Sequence, residues 1–260
     1  MTAPDIPVWL TGERLASMID LTLLKATAVP ADIEALCARA RARGFYAACV
    51  NGCHVPLAAR LLGGSPVRVA CVVGFPLGAA SAAAKAAEAA EAVRAGAGEL
   101  DMVANVGYIL AGDDEAVRAD VAAVVQAADA AAAAAGRPAP LVKVILECCY
   151  LDDEGKVRGA RAAAAAGAAY VKTSTGFGPG GATASDVALL KRAAGPRVKV
   201  KAAGGIRDLA DALAMIAAGA DRLGCSAGEA ILDQLSRALG QPRAPGQPRA
   251  LGQPQPQPRR

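Results

Sequence analysis

Residues 169–205 read AYVKTSTGFGPGGATASDVALLKRAAGPRVKVKAAGG and contain two β-prone runs separated by a helix-prone one. The runs AYVKTST and VKVKAAG carry the short apolar and β-branched pattern that favours strands. Between them, DVALLKRAAG places Val and Leu among charges at helical spacing and ends in glycine, as helices commonly do. A strand, a helix and a second strand form the repeating unit of a parallel α/β sheet.

This unit recurs along the whole chain, with Ala-rich helical stretches such as ADIEALCARARARG between strand-like runs. The predicted strands are MIDLTLL (18–24), AACVN (47–51), VRVACVVGF (67–75), ELDMVAN (99–105), LVKVILE (141–147), AYVKTST (169–175), VKVKAAG (198–204) and RLGCSA (222–227). Eight β/α units in roughly 220 residues predict an α/β fold of the (β/α)8 TIM barrel type. An open doubly wound sheet is the alternative architecture.

The composition argues against nucleic-acid and membrane partners. The net charge is +4, but the segment after Gly240 holds four arginines and no acidic residue, so residues 1–240 balance to zero. A nucleic-acid-binding domain is expected to carry a basic folded face. No charge-free apolar run approaches the length of about 20 residues that a membrane-spanning helix needs.

The cysteines and the first residues predict a cytoplasmic protein. The seven cysteines are an odd number, and they lack the regular spacing of a disulfide framework, which favours reduced thiols. The first 20 residues lack the basic start and apolar core of a secretory signal.

Two regions of different composition divide the chain. Residues 1–239 carry all eight predicted β/α units and are interpreted as a single barrel domain. Residues 240–260 repeat a GQPRA-like unit and are dense in Pro, Gln and Gly. Such a composition buries too little apolar surface to offset the entropy of ordering, so this segment is predicted to be a disordered tail.

Two lysines close neighbouring predicted strands, an expensive position for an unpaired ammonium group. Lys172 precedes TSTGFG, and Lys201 precedes AAGG. In a barrel, the carboxyl ends of all strands meet at one mouth, where Asp101 would lie with both lysines. Burial and a second ammonium lower a lysine pKa, which yields the neutral amine that Schiff-base formation needs. The alternative is a structural ion pair, for instance between Lys172 and Asp101.

Glycine-bearing loops follow the last three predicted strands. TSTGFG, KAAGGIR and GCSAGEA offer small residues and backbone N–H groups where such barrels often bind phosphate. The candidate phosphate-binding residues are Gly176, Gly204, Gly205 and Ser226. Ordinary βα turns built from small residues are the alternative.

A metal site and a nucleotide cofactor are not predicted. His54 is the single histidine, and a zinc site needs three or four ligands. His54 is therefore interpreted as a surface or capping residue. Neither GxGxxG after the first strand nor GxxxxGK[ST] is present, so no cofactor is expected.

Seven motifs between about Met18 and Leu232 resemble those of the deoxyribose-phosphate aldolase family, whose members are class I aldolases with a (β/α)8 barrel. They are IDLTLLKATA, ACVN, VVGFPLG, ELDMVANVG, KVILE, VKTSTGF and KAAGGIR. The resemblance implies that Lys172 is the Schiff-base lysine, Asp101 the proton donor and acceptor, and Lys201 the lysine that tunes Lys172. It also places Lys143 and Thr22 in the surrounding polar network, where they join the candidate substrate-binding residues.

The sequence departs from the family at three places. Leu21 stands where many members carry histidine, and Cys225 and Ala227 stand where members often carry Thr or Ser. Fewer hydroxyls are therefore expected near the phosphate. The tail replaces a C-terminal segment that often ends in tyrosine near the site.

The resemblance implies reversible cleavage of 2-deoxy-D-ribose 5-phosphate to D-glyceraldehyde 3-phosphate and acetaldehyde, in deoxyribose phosphate catabolism, without metal or organic cofactor. It also implies a homo-oligomer, a dimer or a tetramer, although the sequence itself does not indicate the oligomeric state. Two alternatives stay open. One is another class I phosphosugar aldolase or lyase on the same barrel. The other is a non-catalytic phosphosugar-binding barrel, which would not need a neutral amine.

Overall fold

A computed structural model describes residues 6–240 of the chain. Of the predicted tail, Gly240 alone falls within this range, and residues 241–260 lie outside the described residues. The disorder expected of that segment therefore stays a prediction.

Eight parallel strands form a closed barrel in sequence order, which confirms the predicted (β/α)8 fold. Because β1 pairs with both β2 and β8, the sheet has no edge, and the open doubly wound alternative is wrong. Each predicted strand contains an observed one. The strands are β1 (Ile19–Thr22), β2 (Ala47–Val50), β3 (Arg68–Val73), β4 (Glu99–Val103), β5 (Leu141–Ile145), β6 (Tyr170–Lys172), β7 (Lys199–Ala203) and β8 (Arg222–Cys225).

Helices surround the barrel and connect its strands. They are α1 (Gly12–Ala16), α2 (Pro30–Arg43), α3 (Val55–Leu62), α4 (Ala82–Ala95), α5 (Val106–Leu110), α6 (Asp114–Ala134), α7 (Asp153–Ala165), α8 (Ala184–Ala193), α9 (Leu209–Ala217) and α10 (Gly228–Ala238). Two short 3₁₀ turns span Gly52–His54 and Cys148–Tyr150. Within the described residues, every helix falls short of the combined length and apolarity that crossing a membrane would require.

Local sequence signals set several of these helix ends. The side chains of Ser81 and Thr183 accept hydrogen bonds from backbone N–H groups in the first turns of α4 and α8. Such N-cap bonds satisfy donors that have no partner inside a helix. Gly44 and Gly96 end α2 and α4 in the left-handed conformation, which glycine adopts without the cost of a Cβ.

The strands face two different environments. On the outer face, side chains such as Val171, Val200 and Leu223 are fully buried in the main apolar core. The inner face is unusually polar, since charged side chains of six strands are buried there. Because Ala47 and Ala70 contribute little volume on that face, the barrel has room for long charged side chains.

Candidate active site

A cluster of lysines converges on one carboxylate inside the barrel. Lys172 Nζ and Lys201 Nζ each lie 2.7 Å from Asp101 Oδ2, and Lys143 Nζ lies 2.7 Å from Asp101 Oδ1. The exposed fraction is 3% for Lys172 and zero for the other three residues. The structure thus brings together the three residues predicted to be catalytic, together with Lys143.

Strand register explains this convergence. Lys172 on β6 lies directly beside Lys201 on β7, and Asp101 on β4 lies directly beside Lys143 on β5. The register places Lys143 beside Tyr170, two residues before Lys172 on β6, and the tilt of the strands in the closed barrel brings the two pairs together. Lys199 also precedes Lys201 by two residues on β7, but it lies at the amino end of the strand and is exposed. Only Lys201 of this pair therefore reaches the cluster.

A second group of charges extends the cluster. Lys201 Nζ is 2.5 Å from Asp20 Oδ2, and Arg222 Nη1 is 2.8 Å from Asp20 Oδ1. Glu99 Oε2 lies 2.5 Å from Lys143 Nζ and 3.5 Å from Arg222 Nη1. The sequence pattern shows Asp20 as a polar residue of β1 but does not single out Glu99 or Arg222. One sequence signal could have identified Glu99: in ELDMV it is a charged residue at the start of a buried strand, two residues before Asp101 and therefore on the same face of β4.

Aromatic rings help to hold the arginine of this second group. The Arg222 guanidinium carbon lies 3.3 Å from the centre of the Tyr46 ring. Arg222 Nη2 also donates a hydrogen bond of 3.1 Å to the Tyr170 hydroxyl. A planar guanidinium suits both stacking and paired hydrogen bonds, so Arg222 can remain charged while it is buried.

The lysines differ in how readily they lose a proton. Burial lowers the pKa of Lys172, the ammonium of Lys201 lowers it further, and together they outweigh the opposing effect of Asp101. Burial also acts to lower the pKa of Lys201, but the carboxylates of Asp101 and Asp20 overcome it and raise that pKa. The pKa of Lys143 is likewise raised against burial by Asp101, Asp20 and Glu99. Of the three, Lys172 is therefore the lysine that most readily becomes a neutral amine.

This difference favours a reactive amine at Lys172 over a structural ion pair. The ion pair with Asp101 that a structural role requires is present, at 2.7 Å. However, Asp101 also forms ion pairs with Lys143 and Lys201. These lysines help to hold the pKa of Asp101 well below its ordinary value despite burial. A carboxylate shared by three ammonium groups stabilises the charged form of each one less than it would if it had only one such partner.

Charge balance leads to the same conclusion. With every group ionised, the buried cluster contains four cations and three anions. Loss of one proton from Lys172 would balance it, which reduces the cost of burying charge without water. The cations are Lys143, Lys172, Lys201 and Arg222, and the anions are Asp20, Glu99 and Asp101.

A cleft of about 360 Å³ opens above the cluster at the carboxyl ends of the strands. Lys172 lines it, whereas Asp101, Lys201 and Lys143 do not. Lys143 contacts Asp101 Oδ1 without lining the cleft, so it belongs to the polar network rather than to the cleft wall. The other predicted binding residues all line the cleft: Thr22, Gly176, Gly204, Gly205 and Ser226.

Glycines form one wall of this cleft by close approach of the backbone. Gly204 and Gly205 have φ of 87° and 79°, values that favour glycine. A Cβ at Gly204 would lie 3.2 Å from Gly181 Cα and 3.3 Å from Gly176 Cα, so the loops after β6 and β7 are in contact there. A Cβ at Gly205 would meet nothing within 4 Å. The cleft is also lined by two cationic residues to which the sequence motifs assign no role, Lys25 and Arg207.

His54 lies apart from this site. It ends the 3₁₀ turn before α3, is partly exposed, and makes no side-chain capping hydrogen bond. The expectation of a capping role is therefore not met by its side chain. Among residues 6–240, no three side chains of His, Cys, Asp or Glu are grouped as a metal ion would require.

The comparison with known proteins assigns the family. The model of the DeoC/LacD family aldolases matches residues 15–234. The chain belongs to the DeoC/LacD aldolase family. Within this family it is 52% identical to the deoxyribose-phosphate aldolase of Carboxydothermus hydrogenoformans over 226 residues, covering 87% of this chain and 97% of that one.

Further relatives agree with this assignment to the DeoC/LacD family. The deoxyribose-phosphate aldolase of Deinococcus radiodurans is 52% identical over 214 residues, which cover 82% of this chain and 93% of that one. The solved tetrameric deoxyribose phosphate aldolase of Aeropyrum pernix is 35% identical, with a TM-score of 0.79, and the match covers 87% of this chain and 92% of that one.

Proposed function

We propose that this protein is a class I aldolase that reversibly cleaves 2-deoxy-D-ribose 5-phosphate to D-glyceraldehyde 3-phosphate and acetaldehyde. One observation carries the proposal. Lys172 is the lysine of the buried cluster that lines the cleft, and its pKa is lowered while those of Lys143 and Lys201 are raised. The family assignment and the relatives named above support the choice of substrate.

The reaction begins at the Lys172 amine. The neutral Nζ attacks the aldehyde carbon C1 of the open-chain sugar, and protonation of the carbinolamine hydroxyl lets it leave as water, which gives an iminium ion. The iminium withdraws electrons from the bond between C2 and C3. That bond breaks when the C3 hydroxyl loses its proton, giving the aldehyde of glyceraldehyde 3-phosphate and an enamine on Lys172. Protonation at C2 and hydrolysis then release acetaldehyde and restore the amine.

Asp101 and Lys201 would handle the protons. Asp101 is held as a carboxylate by its lysine partners, so it can accept the C3 hydroxyl proton as a general base. Lys201 donates to the same carboxylate oxygen as Lys172, at 2.7 Å each, so it can supply a proton close to the reacting atoms. When Asp101 has taken this proton and the enamine is neutral, return of the proton from Asp101 to C2 restores the carboxylate beside the iminium.

The cleft wall would hold the rest of the substrate. We assign the phosphate to the backbone of Gly176, Gly204 and Gly205 and to the Ser226 hydroxyl, because small residues allow close approach of backbone N–H groups to an anion. Thr22 lines the same cleft. Lys143 would act through Asp101, whose Oδ1 it contacts at 2.7 Å.

A coupled assay tests this function. The purified protein is incubated with 2-deoxy-D-ribose 5-phosphate and a chelator, and glyceraldehyde 3-phosphate is detected through a linked dehydrogenase. We expect turnover that the chelator does not reduce. Absence of glyceraldehyde 3-phosphate, while other phosphosugars are cleaved, would assign the enzyme to a different aldolase or lyase reaction.

We also propose that the protein is a cytoplasmic homo-oligomer, a dimer or a tetramer. The tetrameric Aeropyrum pernix relative supports the oligomer. Exposed apolar side chains such as Trp9, Leu77 and Leu110 are compatible with buried contacts between copies. All seven cysteines are free thiols in the described residues, in keeping with a reducing compartment. Light scattering at several protein concentrations would measure the assembly, and a monomer at all of them would contradict it.

A further inference from the structure

Glu147 is a buried carboxylate at the mouth of the barrel that the proposed reaction does not use. It lies two residues after β5 and is 3% exposed. Its φ of 55° makes it the single non-glycine residue with a positive φ among residues 6–240. This conformation is unfavourable for a residue with a Cβ, and it persists where surrounding contacts hold it.

The carboxylate of Glu147 contacts Thr175 on the neighbouring strand end. Its oxygens accept the backbone N–H of Thr175 at 3.2 and 3.3 Å, and Oε2 also accepts the Thr175 hydroxyl proton. In the described part of the chain, no lysine or arginine forms an ion pair with Glu147. Burying a carboxylate without a cation is unfavourable unless hydrogen bonds compensate, and Glu147 receives these from Thr175, with a longer contact from Cys149 Sγ at 3.9 Å.

Through Thr175, Glu147 reaches the wall of the cleft. The Thr175 hydroxyl oxygen accepts the N–H of Phe177 at 3.0 Å, and Thr175, Gly176 and Phe177 all line the cleft. Residues 176–181 contain four glycines, so this loop loses much backbone entropy when it is fixed. Glu147 supplies fixed acceptors at the start of that loop.

The position of this loop also determines the anion-binding wall. An ideal Cβ at Gly176 would lie 3.7 Å from Gly204 Cα, so the loops after β6 and β7 meet at these glycines. A shift of the Thr175–Phe177 segment would therefore move Gly176 relative to Gly204. The aldehyde end of the substrate, bound to Lys172 on β6, would be affected much less, because β6 is paired with β5 and β7 on both sides.

We infer that Glu147 is a positioning residue for phosphorylated substrate, acting through Thr175 on the Gly176 wall of the cleft. This inference rests on the proposed function, because it concerns the phosphate end of the proposed substrate. It predicts a loss of affinity for phosphorylated sugar without a matching loss of chemistry at Lys172.

The test compares Glu147→Gln with the wild-type protein on 2-deoxy-D-ribose 5-phosphate and on unphosphorylated 2-deoxy-D-ribose. The ratio of the two kcat/KM values should fall about tenfold through KM, the size expected for one hydrogen bond to a charged acceptor. Borohydride trapping of acetaldehyde on Lys172 should stay within about twofold, since truncating a remote contact removes binding rather than chemistry. Glu154→Gln, on the exposed face of α7, is the matched control and should leave both quantities unchanged.

A second variant keeps the test decisive if Glu147→Gln does not fold. Thr175→Val removes the hydroxyl with little change in shape and should lower the same ratio. If both variants fold, their double variant should be no worse than the poorer single one, since both remove the same interaction. Equal losses on the two sugars, or an unchanged ratio, would overturn the inference. Absence of any adduct in the wild-type protein would instead contradict the proposed function, so the two failures are distinguishable.

Discussion

Replacing Lys201 by Met should raise the pKa of Lys172. Both ammonium nitrogens lie 2.7 Å from Asp101 Oδ2, so they are separated by no more than twice that distance. At this separation and an effective dielectric constant of about 20, repulsion between two unit charges is about 3 kcal/mol. That energy corresponds to about 2 pKa units. Removing Lys201 also leaves Asp101 more available to Lys172, which shifts the pKa in the same direction.

The amine attacks only when it is neutral, so a raised pKa moves iminium formation to higher pH. In Lys201→Met, the pH midpoint of the initial rate of acetaldehyde trapping should rise by about 2 units, with up to about a 100-fold lower rate below both midpoints. Rapid quenching with borohydride between pH 6 and pH 10, followed by mass spectrometry, measures this rate. Lys199→Met, an exposed lysine on the same strand, is the control and should keep the wild-type midpoint. An unchanged or lowered midpoint in Lys201→Met would refute repulsion by Lys201 as a cause of the lowered pKa.

Three further predictions concern the cleft and the charge cluster. Gly205→Ala should raise KM for the phosphorylated sugar and lower the unfolding free energy by only about 1–2 kcal/mol, the cost of a positive φ for a residue with a Cβ. Gly204→Ala should lower the unfolding free energy further, because its Cβ would crowd Gly181 and Gly176. Equal losses for the two variants in urea unfolding would contradict this. Ala227→Ser should lower KM for deoxyribose 5-phosphate more than for deoxyribose, and equal effects would place the phosphate elsewhere. The pKa of Asp20 is lowered from 3.8 to about 2, because Lys201, Lys143 and Arg222 together outweigh the effect of burial. Its stabilisation is therefore present above pH 4 and is lost as the pH falls toward 2. Unfolding free energy should drop by about 2 kcal/mol over that range from this group alone, and a flat profile would contradict the buried ion pairs.

Much of the fold follows from local sequence. The eight β-prone runs and the glycine-ended helical stretches between them predict the strands of the barrel, because burial between helices and sheet favours continuous apolar runs. The convergence of Lys172, Lys201 and Asp101 also follows, because parallel strands bring their carboxyl ends to one mouth. These residues occur at the ends of predicted strands, where a barrel places reactive groups.

The remaining features of the site depend on contacts between residues far apart in the sequence and on local backbone conformation, which short sequence patterns do not predict. Asp20 meets Arg222 only because β1 closes against β8, which are about 200 residues apart along the chain. The position of Glu147 depends on a left-handed backbone that no sequence signal marks, since glycine or asparagine would be the usual residue there. Lys199 is exposed because β7 begins at this residue. The alternation of side chains along a strand predicts which face a residue is on, but not where the strand begins.

The assignment of Lys172 as the Schiff-base lysine is tested most directly by trapping the iminium. Sodium borohydride is added to the protein with acetaldehyde, and the modified peptide is mapped by mass spectrometry in the wild type and in Lys172→Ala. We expect a single reduced adduct on Lys172, and loss of both trapping and turnover in Lys172→Ala, since no other lysine of the cluster lines the cleft. An adduct on Lys201 with an active Lys172→Ala protein would reverse the roles of the two lysines. Turnover without an adduct on any lysine would contradict the Schiff-base mechanism itself.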